Sequence, residues 1–256
     1  MARYRLLLEY DGTGFRGWQR QRAGIVTVQG VLEEGLQRLF GHEVTLIGAG
    51  RTDTGVHARG QVAHFDAQKA REGWVILRAL NVLTPETVTV LAVDAVDAAF
   101  HARFSAVYRE YLFRIVAGRS AMPALDRRRV WHHPRPLRVD WMESAAQALL
   151  GTHDFSAFRA SFCQSKEPVK TMSRMEVRQV GEEIHLRVGA NGFLQHMVRN
   201  IVGTLSLIGR GEWPVEAMGE ILASRDRRRA GPTVPPWGLY LEKVLYPGQV
   251  QQNGQG

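Results

Sequence analysis

Short apolar segments carrying β-branched residues alternate with stretches of helical period, and this alternation runs through the chain twice. Residues 3–10 form an apolar run with a Gly-rich exit. Residues 27–40 follow, with Val28, Val31, Leu32, Leu36 and Leu39 on one helical face. Strands are expected at 43–47, 61–65 and 87–93, with a helix over 74–83 before the last of them, and another strand-like run covers 104–116. A Pro- and Arg-rich stretch, 118–139, reads as a connection. The pattern then restarts with a helix over 140–150, strands at 173–180 and 183–188, a long helix over 193–207, a last helix near 215–223 and an end strand at 239–246. The expected class is α+β, with strands outnumbering helices: two packed subdomains, 1–117 and 118–247, facing a common cleft. Residues 248–256, all Gly, Gln and Asn apart from Val250, read as a disordered tail.

Composition excludes several classes. The 256 residues are 45% hydrophobic, enough for one sizeable core or two small ones. No run of eighteen apolar residues occurs, and the N-terminal apolar run is too short, with Glu9 too early, for a signal peptide; a soluble, cytoplasmic protein with no membrane partner is expected. Cys163 is the only cysteine, so an internal disulfide, a thiolate zinc cage and a Cys-x-x-Cys redox pair are all ruled out. Basic residues outnumber acidic ones 33 to 25, a net charge of +8, and only four of the 33 are lysine. Arginine's planar fork suits phosphate and stacks on bases, so a polyanion is the natural partner. A GC-rich genome and a solubilising surface would leave the same composition.

Four clusters stand out. Gly12-Thr13-Gly14-Phe15-Arg16-Gly17 follows a strand and fits the dinucleotide fingerprint. Its third glycine should enter a helix, yet residues 18–24 lack a helical apolar period, so an NAD-dependent oxidoreductase is rejected. A loop touching phosphates or bases fits better, because Arg16, Trp18, Arg20 and Arg22 interleave cations with an aromatic. A basic turn anchored by a core tryptophan competes with that reading. The second cluster is Gly48-Ala49-Gly50-Arg51-Thr52-Asp53-Thr54-Gly55-Val56-His57-Ala58, which lacks the Gly-Lys-Ser/Thr ending of a phosphate loop. Asp53, in a Gly-bounded turn beside Arg51, is well placed to be a rigid, ionised carboxylate in a cleft. Without context, an Asx turn closing a loop is the better explanation. In the third, Tyr108-Arg109-Glu110-Tyr111-Leu112-Phe113-Arg114, alternation puts Tyr111 and Phe113 on one strand face, either as cross-strand packing or as a phenol for stacking a base. The fourth runs from Asn191 to Gly203, where Phe193, Met197 and Ile201 are read as a core stripe with Arg199 off it, solvated or paired with Asp53. The histidines show no zinc spacing, and no nucleophile elbow supports Cys163.

These clusters, in this order, resemble the tRNA pseudouridine synthase A family over nearly the whole chain. The matching blocks are Tyr10-Asp11-Gly12-Thr13 through Gly17-Trp18-Gln19, Thr27-Val28-Gln29-Gly30, the Gly-Arg-Thr-Asp-Thr-Gly-Val-His-Ala block around Asp53, Phe100-His101-Ala102-Arg103-Phe104-Ser105-Ala106, and His196-Met197-Val198-Arg199-Asn200-Ile201-Val202-Gly203. The resemblance implies two α+β subdomains whose antiparallel sheets join into one long central sheet with the active cleft between them, and a homodimer. It implies an isomerase acting on the anticodon stem-loop of tRNA, at uridines thirty-eight, thirty-nine and forty, with no cofactor. Carried onto this chain, the nucleophile is Asp53, the active-site tyrosine is Tyr111, Arg51 helps extrude the target base and Arg199 is the cation paired with the aspartate. Phe113 stands where many members have a second tyrosine. A non-catalytic RNA-binding protein would share the charge and the aromatics, but has no use for a rigid Arg-Thr-Asp-Thr-Gly loop.

Overall fold

In β1 (Ala2–Tyr10), Tyr4, Leu6, Leu8 and Tyr10 point into the core, while Arg3 and Arg5 on the other face pair with Asp66 and Asp94 of the neighbouring strands. That alternation is what a strand covered on one face requires. The computed structural model describes residues 1–161, 163 and 167–249, and its chain divides into two compact units.

The first unit comprises 1–107 and the segment from Tyr240 onward. Here β1 lies between β3 (His57–Ala67) and β4 (Val88–Val96), antiparallel to both, and β2 (Ile47–Gly48) pairs with the far side of β3. β10 (Leu239–Leu245) adds to β3 in parallel through Tyr240 and Leu241. Helix α1 (Val28–Phe40) opens on Thr27, whose hydroxyl accepts the Gly30 N–H, and closes on Gly41 at φ 77°. These are the N-cap and C-cap chemistries that fix a helix's ends. It packs against α2 (Gly73–Leu83), and Leu32, Leu36, Ile76 and Leu80 are buried with Leu6, Leu8 and Phe65.

The second unit, 108–239, carries β5 (Tyr108–Ala117), β9 (Glu183–Ala190), β8 (Val169–Val180) and β7 (Gly151–Asp154) in that spatial order, all antiparallel, with β6 (Trp131–His133) parallel to β5. Helices α3 (Val139–Ala146), α4 (Met197–Gly209) and α5 (Ala217–Ser224) complete it, α3 lying on β8 and against α4. Helix α4 is buried almost all round, so it is a core element, not a surface helix.

The α+β class is borne out, with differences in detail. The compact units divide between 107 and 108, and β5 pairs along nearly its whole length with β9 of the second unit. The pairings β3–β10 and β5–β6 are parallel where antiparallel sheets were expected. The connection over 118–139 contains β6. The strand expected at 43–47 shrinks to Ile47–Gly48, because Leu46 spends its N–H on Glu33 and its carbonyl on Gln29, both on α1. The helix expected from Phe193 starts at Met197, since His196 sits at φ 62° and breaks the helical run. Of the expected tail, Gly248 and Gln249 belong to a turn in which Gln249 exchanges hydrogen bonds with the Tyr246 backbone; 250–256 lie outside the described residues.

His64, buried on β3, accepts the Ala102 N–H at its Nδ1 and lies 4.7 Å from the His101 ring. Burial first, then the His101 and Arg3 charges, push its pKa down to about 4. The folded state therefore refuses a proton that the unfolded chain accepts near pH 6.5, so the stability is fully present above that pH and is lost as pH falls towards 4. Urea unfolding at pH 7, 6 and 5 should show His64→Gln losing stability less steeply than wild type, by up to about 1 kcal/mol per pH unit; parallel pH profiles would refute this.

Candidate active site

The loop joining β2 to β3 is held at Ala49, Gly50, Thr52, Asp53 and Val56. Ala49 donates its N–H to Val62 O, and the Gln61 amide donates to Gly50 O at 2.8 Å. Thr52, buried, is bound twice: its hydroxyl lies 2.8 Å from the Tyr10 hydroxyl, and its carbonyl accepts the Trp18 N–H at 3.1 Å. The Asp53 carbonyl accepts the Val56 N–H at 3.1 Å, closing a turn whose third residue, Gly55, sits at φ 79°. Asp53 is half-buried at the head of this turn and Arg51 is exposed beside it.

The loop after β1 clasps this turn from the other side. A Cβ on Gly12 would lie 2.0 Å from Val56 O, and one on Gly17 would lie 2.7 Å from Thr52 O. Gly17 also sits at φ 88°, a region open to glycine and costly to other residues. Gly12 N–H lies 3.0 Å from His57 Nδ1, the Asp11 carboxylate lies 3.2 Å from the same nitrogen, and the His57 ring stacks on Tyr240 at 4.7 Å. Gly12 and Gly17, the first and last glycines of the rejected dinucleotide fingerprint, thus serve loop-to-loop contact. Only a single 3₁₀ turn, Gly12–Gly14, follows the strand, and α1 waits until Val28.

Trp18 is 1% exposed and lies against Gly48, where a Cβ would come within 2.6 Å of the indole. It is a core anchor, so the base-stacking role expected of it is withdrawn. Arg16, Arg20 and Arg22 around it are exposed. Arg20 is also oriented: its backbone N–H donates to Gln29 Oε1, and its guanidinium lies 3.1 Å from the carboxylate of Glu33, which is buried on α1.

Tyr111 and Arg199 belong to the second unit. Tyr111, 9% exposed on β5, meets the Phe193 ring edge-on at 4.9 Å, so Phe193 backs the tyrosine instead of extending the helix stripe. Phe113, fully buried, packs against Trp131 and Gly238. Arg199, in the first turn of α4, donates from Nε to Val234 O at 2.8 Å. Asn200 beside it is buried, donates to Phe158 O and accepts from the Thr233 hydroxyl and the Arg227 guanidinium. Tyr10, Thr52 and Asn200 fall within the quoted blocks but carry no assigned role there, and Glu33 lies outside them; each acts through partners distant in the chain, which no local pattern announces. Among the described residues no group of three or more His, Cys, Asp or Glu side chains is placed to hold a metal ion, and no helix is long and apolar enough to cross a membrane.

A family model described as tRNA pseudouridine synthase matches residues 7–105 and 145–247, which takes in both the Asp53 loop and the Arg199 helix. The chain belongs to the tRNA pseudouridine synthase family. Curated relatives of this synthase include the tRNA pseudouridine synthase A of Paramagnetospirillum magneticum, 50% identical over 255 residues covering 99% of each chain. That of Rhodospirillum rubrum is 50% identical over 97% of this chain and 89% of its own. That of Caulobacter vibrioides is 49% identical over 96% and 99%.

The clasp predicts a contrast between two neighbouring glycines of the synthase. Gly17→Ala must adopt a disfavoured φ and push on a backbone carbonyl, at about 1–3 kcal/mol of strain. It should lower both the melting temperature and turnover on tRNA. Gly14→Ala, which meets nothing within 4 Å, should leave both near wild type. Equal behaviour of the two variants in thermal melts and tritium-release assays would contradict the clasp.

Proposed function

We propose that the chain isomerises uridine to pseudouridine in the anticodon stem-loop of tRNA, at positions thirty-eight, thirty-nine and forty, with Asp53 as the nucleophile. Asp53's setting carries the reading: a carboxylate at the head of a turn whose flanking residues are fixed by backbone contacts, inside the segment that the family model matches. The reaction breaks the N1–C1′ bond, turns the uracil and joins C5 to C1′; the C5 proton leaves and N1 ends protonated, so atoms and electrons balance without redox chemistry. No cofactor is required for that balance.

A uridine stacked in an arm is unreachable and must be flipped out, at a cost of a few kcal/mol that phosphate contacts and stacking offset. Arg16, Arg20 and Arg22 supply exposed cations near the Asp53 loop, and Arg51 is the candidate to help extrude the target base. Attack of Asp53 on C1′, attack on C6, and removal of the 2′ proton to give a glycal each use this carboxylate and regenerate it. Arg199 is its counter-cation. Tyr111 stacks on the base and takes up, directly or by relay, the C5 proton. The same reading carries a homodimer in the cytoplasm, which sedimentation of the purified protein and fractionation of cells would test.

Asp53→Asn, nearly isosteric, should abolish pseudouridine formation mapped in unmodified tRNA while leaving tRNA affinity little changed, because phosphate contacts dominate binding. Turnover near wild type would remove Asp53 as the nucleophile.

Tyr111→Phe keeps the ring that packs on Phe193 and loses only the hydroxyl, so it separates packing from proton transfer. The chemical step at saturating tRNA should fall roughly 100-fold to 10,000-fold with affinity retained, whereas Tyr111→Ala should weaken both. A Phe variant within about twofold of wild type would remove the proton-transfer role.

A further inference from the structure

Tyr10 closes β1, and its backbone is paired on both sides, with Ala58 of β3 and Val88 of β4. Its ring is buried and lies 6.1 Å from the Trp18 indole. A phenol so fixed is a rigid post. Its hydroxyl meets Thr52 Oγ1 at 2.8 Å, with both side chains buried, and Thr52 directly precedes Asp53. Threonine is stiff about χ1, so holding Oγ1 also orients the Thr52 backbone. The Thr52 carbonyl, bound to the Trp18 N–H, fixes the plane of the peptide that leads into Asp53. Two independent anchors therefore set the Cα from which the carboxylate projects.

We propose that the Tyr10 hydroxyl is a positioning group for the reaction: through Thr52 it sets the approach of the Asp53 carboxylate to the ribose or base of the flipped uridine. The proposal rests on Asp53 being the nucleophile. Both hydroxyls are buried, away from the surface that tRNA would meet, so loss of the Tyr10–Thr52 bond changes the chemical step and not tRNA binding. Small displacements of a reacting group cost up to about 100-fold in rate, whereas a buried hydrogen bond with a purely structural role registers in melting temperature alone.

The test compares Tyr10→Phe, Thr52→Val and the double variant, all in the full-length protein, by single-turnover rate on saturating tRNA, KM and thermal melt. Either single variant strands a buried hydroxyl and lowers the melting temperature. The double variant replaces both polar groups with apolar ones of similar shape and should recover much of that loss. The expected result is a rate about tenfold or more below wild type in Tyr10→Phe and in the double variant, the two losses not multiplying, with KM within about twofold. Thr52→Ser, which keeps the hydroxyl, should recover most of the rate lost in Thr52→Val. If the double variant regains both stability and a rate within about threefold of wild type, the hydroxyl pair is structural and the proposal is overturned. Should Tyr10→Phe fail to fold, the double variant decides alone. Asp53→Asn run alongside keeps the two claims apart: an active Asn variant removes the nucleophile and this proposal together, while an inactive one beside an undiminished Tyr10→Phe removes the proposal only.

Discussion

Two loops that approach each other with no side chain between them hold the candidate site together. The loop leaving β1 and the loop entering β3 meet backbone to backbone at Gly12 against Val56 and at Gly17 against Thr52. Methyl groups at those points would overlap carbonyl oxygens, so only glycine allows the approach. The approach in turn lets the Trp18 N–H reach Thr52 O and the Gly12 N–H reach His57. A carboxylate in an ordinary surface loop would sample many orientations and pay to adopt one; here that ordering is completed on folding. The second unit repeats the device at α4: a Cβ on Gly203 would lie 1.8 Å from Pro232 O, and Asn200 ties Thr233 and Arg227 to the same helix.

What the sequence revealed depended on whether the signal was local. Helix α1 was legible because its apolar stripe, Val28 to Leu39, lies within one short stretch of the chain. The Asp53 turn was legible because its glycines bound it closely. The stretch before β2 was misread: β-branched residues suggest a strand, but Gln29 and Glu33, more than ten residues away, capture the backbone groups a neighbouring strand would have taken. Phe193 fitted a helical period by spacing alone, and the backbone at His196 breaks that period. Trp18 shows the limit of composition, since arginines around a tryptophan read as a stacking surface until the indole proves to be filling the space above Gly48.

Charge is distributed by a similar economy. Glu33 is buried, yet its carboxylate takes hydrogen bonds from Gln29 and Leu46 and faces Arg20, so it is neither unpaired nor wasted. The result is an arginine whose head is exposed and whose direction is set, a better phosphate ligand than a free side chain because less rotational entropy is lost on contact.

The strand β10 gives this fold an order of assembly. It lies against the start of β3 through Tyr240 and Leu241, and the hydroxyl of Tyr246, just beyond it, reaches back to Ala102 O, so the first 107 residues are completed by the last few. On the ribosome the N-terminal segment emerges with one strand's worth of its sheet missing, and it waits through the synthesis of 108–239, a contiguous stretch able to fold meanwhile. Until β10 arrives, the edge of β3 beside His57 stands open, a place for mispairing and for chaperones to guard. The Asp53 turn takes its own contacts from the first 107 residues, but His57 just after it stacks on Tyr240, so a nascent chain ending before that strand would hold the turn and leave its His57 side uncovered.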